Sequence, residues 1–72
     1  MNSKKVFSKN LRAFMYIQNK RNSDVADAVG VSVQTVISWT KGRIFPGDEN
    51  LDRLANYFHV PVGALFAEKV EI

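Results

Sequence analysis

The sequence predicts an all-α fold, a compact bundle of five short helices, and three observations carry that prediction. Apolar residues recur at three- and four-residue steps along most of the chain. Glycine and proline fall between those stripes, at Gly30, Gly42, Pro46 and Pro61, where one helix must stop and the next begin. The alternating runs Val29-Val31-Val33 and Val60-Val62 each lie against a Gly or Pro and are too short for strands, so they read as turns. With 72 residues the chain is expected to hold a single domain, residues 1–72, with its core over about 6–67 and flexible ends at 1–5 and 68–72.

The first helix is expected over about 6–18, where Val6, Phe7, Leu11, Phe14, Met15 and Ile17 recur with helical spacing before the polar stretch Asn19–Arg21. Val25, Ala26 and Val29 mark a short second helix, opened by Asn22 or Ser23 as N-cap and closed by Gly30 in the left-handed region. Ser32 caps a third helix whose inward face is Val36 and Trp39, and Gly42 stops it. Asp48 or Gly47 opens a fourth, with Leu51, Leu54, Ala55 and Phe58 on its apolar face. His59 stands where the chain leaves that helix, and histidine tolerates positive φ better than most residues. Pro61 suits the first turn of a short fifth helix carrying Leu65 and Phe66.

Residues 22–41 have a mechanical logic of their own. Two helices that meet at about 90–120° across a tight turn approach closely at one point. Ala26 supplies the small side chain at that contact, Gly30 the turn, and Val31 the apolar plug inside the corner. Val25, Val29, Val36 and Trp39 bury the angle, which turns the remaining face of the third helix outward. This is a helix-turn-helix.

From Phe7 to Phe66 the chain resembles the Cro and phage-repressor class of helix-turn-helix regulators. Beyond the turn, Trp39, the segment Lys41-Gly42-Arg43 and Pro46 look like that family's tryptophan, basic-Gly-basic and proline segment, and Leu51, Leu54-Ala55, Phe58, Val60 and Leu65-Phe66 look like its last two helices. The sequence departs from the family at Lys20 and Asn22, where an apolar residue and a glutamine are common. It also departs at His59, often glycine, and at Met15 and Thr40, where many members pair an arginine with a glutamate. Both partners of that pair are replaced together, so no buried charge is orphaned.

The resemblance implies a lambda-repressor-like DNA-binding domain that places its third helix in the major groove of a double-stranded operator. On that helix Val36 and Trp39 point inward, leaving Val33, Gln34 and Ser38 as the expected base-contacting residues. The Gln34 amide can pair bidentately with adenine, Val33 can meet a thymine methyl, and Ser38 can bond either base type. Phosphate contacts are expected from Ser32 and from Asn22 or Ser23 at helix N-termini, where free N–H groups and the dipole favour an anion. Thr35, Lys41 and Arg43 flank the groove, and Lys20 and Arg21 reach toward the other strand. The charge distribution agrees: residues 1–43 hold eight basic against two acidic residues, and residues 44–72 two basic against five acidic.

Other functions fare poorly. There is no cysteine, hence no thiol nucleophile or thiolate metal site, and no phosphate-binding glycine loop. The lone His59 lies among valines, not beside a serine or carboxylate pair, so neither catalysis nor a metal, cofactor or small-molecule site is expected. No apolar run approaches the ~20 residues of a membrane span, which predicts a soluble, cytoplasmic protein. A homodimer is expected, joined at the C-terminal end through Val60, Val62, Leu65, Phe66, Val70 and Ile72. The rival reading is a protein-interaction module of the same fold, an antitoxin or anti-regulator, with secondary DNA binding.

Overall fold

The computed structural model describes residues 3–67, as helices α1 (Ser3–Ile17), α2 (Asn22–Val29), α3 (Val33–Thr40) and α4 (Asp48–Phe58), followed by a 3₁₀ turn at Val62–Phe66. No strand occurs among them, and none of the helices is long and apolar enough to cross a membrane. One core joins all five elements: Phe7, Leu11 and Phe14 from α1, Val25 and Val29 from α2, Val36 and Trp39 from α3, Leu51, Leu54 and Phe58 from α4, and Leu65 from the 3₁₀ turn. The α2–α3 corner forms as its residues demand. Gly30 adopts φ 81°, its N–H and that of Val31 both reach the Ala26 carbonyl at 2.8 and 3.1 Å, and Ala26 is buried at the contact.

Three boundaries differ from the sequence expectation. Helix α1 begins at Ser3, not Val6, because its first turn is packed under the α3–α4 connection. A Cβ on Gly42, which has φ 71°, would stand 3.3 Å from Ser8 Oγ and 3.6 Å from the Lys4 carbonyl. The cap of α2 is Arg21 rather than Asn22 or Ser23. The Arg21 N–H donates to the Asp24 carboxylate at 2.9 Å, so the acidic residue three positions on ties back to the cap backbone, as in a capping box. The expected fifth helix is the 3₁₀ turn. Pro61 is extended and precedes it, the Ala64 N–H bonds back to the Pro61 carbonyl at 2.9 Å, and the Leu65 and Ala67 carbonyls, which would carry a helix onward, accept from Asn10.

Asn10 has no counterpart in the sequence reading. It is fully buried on α1, and its Nδ2 donates to the Leu65 carbonyl at 3.0 Å and the Ala67 carbonyl at 2.8 Å, with the Ala64 carbonyl at 3.5 Å. This amide fastens the end of the described chain to α1. Elsewhere the expected punctuation holds: Ser32 Oγ accepts from the Thr35 N–H at 3.1 Å, Gly47 caps α4, and His59 takes φ 61° at its C-terminus.

Candidate nucleic-acid interface

Helix α3 has two faces. Val36 and Trp39 are buried to within 1% of completely, wedged against α1 and α2. Val33 and Gln34 are exposed on the opposite side of its first turn, and Ser38 is half-buried one turn further along. The sequence thus places Val33, Gln34 and Ser38 together on one outward strip. Ser32 and Thr35 stand at its N-terminal end, their hydroxyls 2.9 Å apart. Whichever oxygen donates in that pair, one hydroxyl hydrogen remains to point outward. Thr35 is half-buried, and its N–H is already taken by Ser32.

At the other end Lys41 and Arg43 are exposed. Their backbone N–H groups close the helix, bonding to the Ile37 carbonyl at 3.0 Å and the Ser38 carbonyl at 3.0 Å, which leaves the side chains free of capping duty. The first turn of α2 adds exposed Ser23 and half-buried Asn22. Beside them Arg21 is highly exposed, with Nε 3.6 Å from the Asp24 carboxylate. The donated Arg21 N–H, helped by the Arg21 and Lys20 charges, holds Asp24 below the ordinary carboxylate range. Lys20, expected to reach toward the other strand, lies against α4. Its ammonium sits 5.4 Å from the centre of the Tyr57 ring, in a shallow depression on α4 lined also by Gln18, Arg53 and His59.

Two arginines that the sequence reading left without a role hold the helix-turn-helix from behind. Arg12 on α1 donates to the Thr40 carbonyl at the C-terminus of α3, and to Ser8 Oγ at 3.5 Å. Arg53 on α4 donates to the Val29 carbonyl at the C-terminus of α2, 3.2 Å away. The family's arginine–glutamate link between the first and third helices is absent at Met15 and Thr40, yet a link exists, made one turn earlier and to a backbone carbonyl.

The expected dimer surface is altered. Leu65 is fully buried inside its own chain and presents nothing to a second copy. Val60, Val62 and Phe66 are partly buried against the core, and Val70 and Ile72 lie outside the described residues. Ile44 and Phe45, to which the sequence patterning gives no role, are instead exposed at 45% and 38%. The Phe45 ring stands 5.5 Å from that of Phe66 and 5.4 Å from that of Phe7. An apolar surface therefore runs from the α3–α4 connection onto the 3₁₀ turn.

With this geometry in place, a family model described as helix-turn-helix matches residues 15–65, from the end of α1 to the 3₁₀ turn. The chain belongs to this helix-turn-helix family. Its place among the Cro-like and phage-repressor class is supported by the cryptic phage CTXphi transcriptional repressor RstR of Vibrio cholerae, 27% identical over 63 residues. The match covers 88% of this chain and 57% of RstR, so the chain spans little more than half the length of that curated relative. Among solved structures, the SOS-response transcriptional repressor LexA from Eubacterium rectale superposes with a TM-score of 0.89 at 32% identity, covering 100% of this chain and 78% of the other. A transcriptional regulator from Listeria innocua gives 0.81 at 30% identity, covering 92% and 62%. All three are described as transcriptional repressors or regulators.

Proposed function

We propose that the chain is a sequence-specific double-stranded DNA-binding transcriptional regulator, a repressor of phage or bacterial type. The observation that carries this reading is the outward strip of α3: Val33, Gln34 and Ser38 bear chemistry that reads base edges, between an anion-favouring end at Ser32 and a cationic end at Lys41 and Arg43. Asn22, Ser23, Thr35 and Arg21 add contacts to phosphate. Lys20, held over Tyr57, contributes through the positive field around α2. Such a regulator works in the cytoplasm of its host cell.

It acts as a homodimer on a pseudo-palindromic operator. The molecule measures 27 × 23 × 20 Å, while successive major grooves on one face of DNA are about 34–36 Å apart, so one copy cannot read two half-sites. The exposed Ile44 and Phe45, with the partly buried Phe66, Val60 and Val62 beside them, supply the apolar surface for a two-fold contact. That same surface favours a second reading, a protein-interaction module of antitoxin or anti-regulator type. Selection of bound sequences from a random duplex pool, followed by sedimentation on the winner, tests both. A two-fold symmetric motif bound by two copies is expected. Enrichment of no motif would discard DNA reading in favour of the interaction module.

A further inference from the structure

The cationic surface does not end at α3. Between Ser3 and Arg12, the exposed positions of α1 are Ser3, Lys4, Lys5, Lys9 and Arg12, so all but one are basic. No acidic residue occurs anywhere in residues 1–23. Lys5, Lys9 and Arg12 follow one another at i, i+4 and i+7 and therefore form a single stripe down the helix. Among the described residues neither Lys5 nor Lys9 takes part in an ion pair; the pairs are Arg21–Asp24 and Arg53–Glu49. No acidic residue lies three or four positions from Lys5 or Lys9 along the helix, the spacing at which an opposite charge would pair with them.

The stripe is also placed. Asn10 faces the 3₁₀ turn, whereas Ser8 and Arg12 face the C-terminal end of α3, where Gly42 rests against Ser8 and Arg12 reaches the Thr40 carbonyl. Lys5 and Lys9 lie on the solvent-facing ridge of α1 between those two flanks, with Lys5 and Arg12 nearer the one that meets the C-terminal end of α3. From Lys5 to Arg12 the stripe runs about 10 Å, the axial length of roughly three phosphates along one DNA strand.

We infer that the Lys5–Lys9 stripe of α1 is a second phosphate-binding surface, which follows the DNA backbone beyond the half-site read by α3. It deepens the DNA-reading function and rests on it. The stripe adds affinity without adding sequence information, because it meets phosphates only and begins where the base-reading strip ends.

The test compares two duplexes carrying the selected operator, one ending at the half-sites and one extended by about one helical turn, 10 bp, on each side. Binding of the full chain is measured against salt concentration for the wild type, Lys5→Gln/Lys9→Gln and Lys5→Arg/Lys9→Arg. Gln and Lys have similar helix propensity, and thermal melting of all three should coincide. The wild type is expected to show a steeper salt slope on the extended duplex. The Gln variant should lose about 0.9 of slope per phosphate contact there, nearly 2 for each bound copy, and match the wild type on the short duplex. The Arg variant should behave as wild type on both. Equal wild-type slopes on the two duplexes, an unchanged Gln variant on the extended one, or an equal loss on both would each overturn the proposal. A wild type that fails to distinguish operator from scrambled duplex would instead overturn the DNA-reading function itself, before any variant is compared.

Discussion

Asn10 offers the sharpest test of how the domain is closed. Its Nδ2 makes two well-formed hydrogen bonds, to the Leu65 and Ala67 carbonyls at 3.0 and 2.8 Å. Each is worth about 1 kcal/mol net, and an orphaned buried carbonyl costs about 1–3 kcal/mol more. Against this, Asn10 Oδ1 is buried with no partner among the described residues, so truncation relieves a penalty of similar kind. Asn10→Ala should therefore lose about 2–3 kcal/mol in urea titrations followed by circular dichroism, out of a total of roughly 5 for a domain this small. Asn10→Asp sharpens the experiment by exchanging the donor for an oxygen that faces two carbonyls. Its carboxyl should stay neutral in the folded protein, with its pKa raised above the unfolded value near 4. The unfolded chain then loses its proton first as pH rises, so the deficit relative to wild type should be smallest below pH 4 and grow toward pH 7. An Asn10→Ala protein within about 0.5 kcal/mol of wild type, or an Asn10→Asp deficit independent of pH, would refute this account of the C-terminal closure.

Gln34→Ala should cost about 1–3 kcal/mol on the selected operator and leave binding to unrelated duplex nearly unchanged, as measured by competition titration. Lys41→Ala and Arg43→Ala should instead weaken binding to every duplex and flatten the salt dependence by about 0.9 each. Trp39→Ala should unfold the domain, since deleting a buried tryptophan costs about 3–5 kcal/mol; a protein that keeps its helical dichroism would show that the corner does not depend on Trp39. Asp24 is held below the usual carboxylate range, so its contribution is complete above the unfolded value of 3.8 and is lost as pH falls through its lower folded value. Asp24→Asn should flatten the acid limb of the stability curve in that window.

Much of this fold is legible because its information is local. Gly30, Ser32, Gly42, Gly47 and His59 each act on the backbone within four residues of themselves, and each sits where a sequence pattern places it. The inward residues of α2 and α3 are legible for a related reason, since a right-angled corner permits few side chains at its inside. What escapes sequence reading acts at a distance. Asn10 is an unremarkable polar residue until the chain returns fifty-odd positions later to put carbonyls above it. Leu65 reads as spare apolar surface, yet Asn10 draws its segment inward until it is buried. Phe45 reads as a loop residue because nothing local reveals that Phe7 and Phe66 converge on it. Of the candidate interface, the outward strip of α3 follows from helical geometry alone. Lys20 could be assigned only once Tyr57 was seen beneath it.

The long-range side chains share one task. An eight-residue helix is too short to persist unaided, and its last carbonyls lack intrahelical partners. The C-terminus of α2 receives Arg53 at the Val29 carbonyl, that of α3 receives Arg12 at Thr40, and that of α4 receives Gln18 at Phe58, 2.7 Å away. The 3₁₀ turn receives Asn10. Three of these four donors lie on α1 or one residue beyond it, so the longest helix satisfies the ends of the short ones. Arginine suits the two helix-turn-helix ends because its planar fork donates several hydrogen bonds from a fixed geometry while its charge favours the negative end of the helix dipole. The consequence bears on function. Because Arg12 secures α3 from α1, neither Lys41 nor Arg43 is spent as a side-chain cap, and both remain available to an anion in front of the helix. Rigid presentation of the recognition strip and a free cationic end are thus achieved by separate residues, which is why the two can be removed separately by mutation.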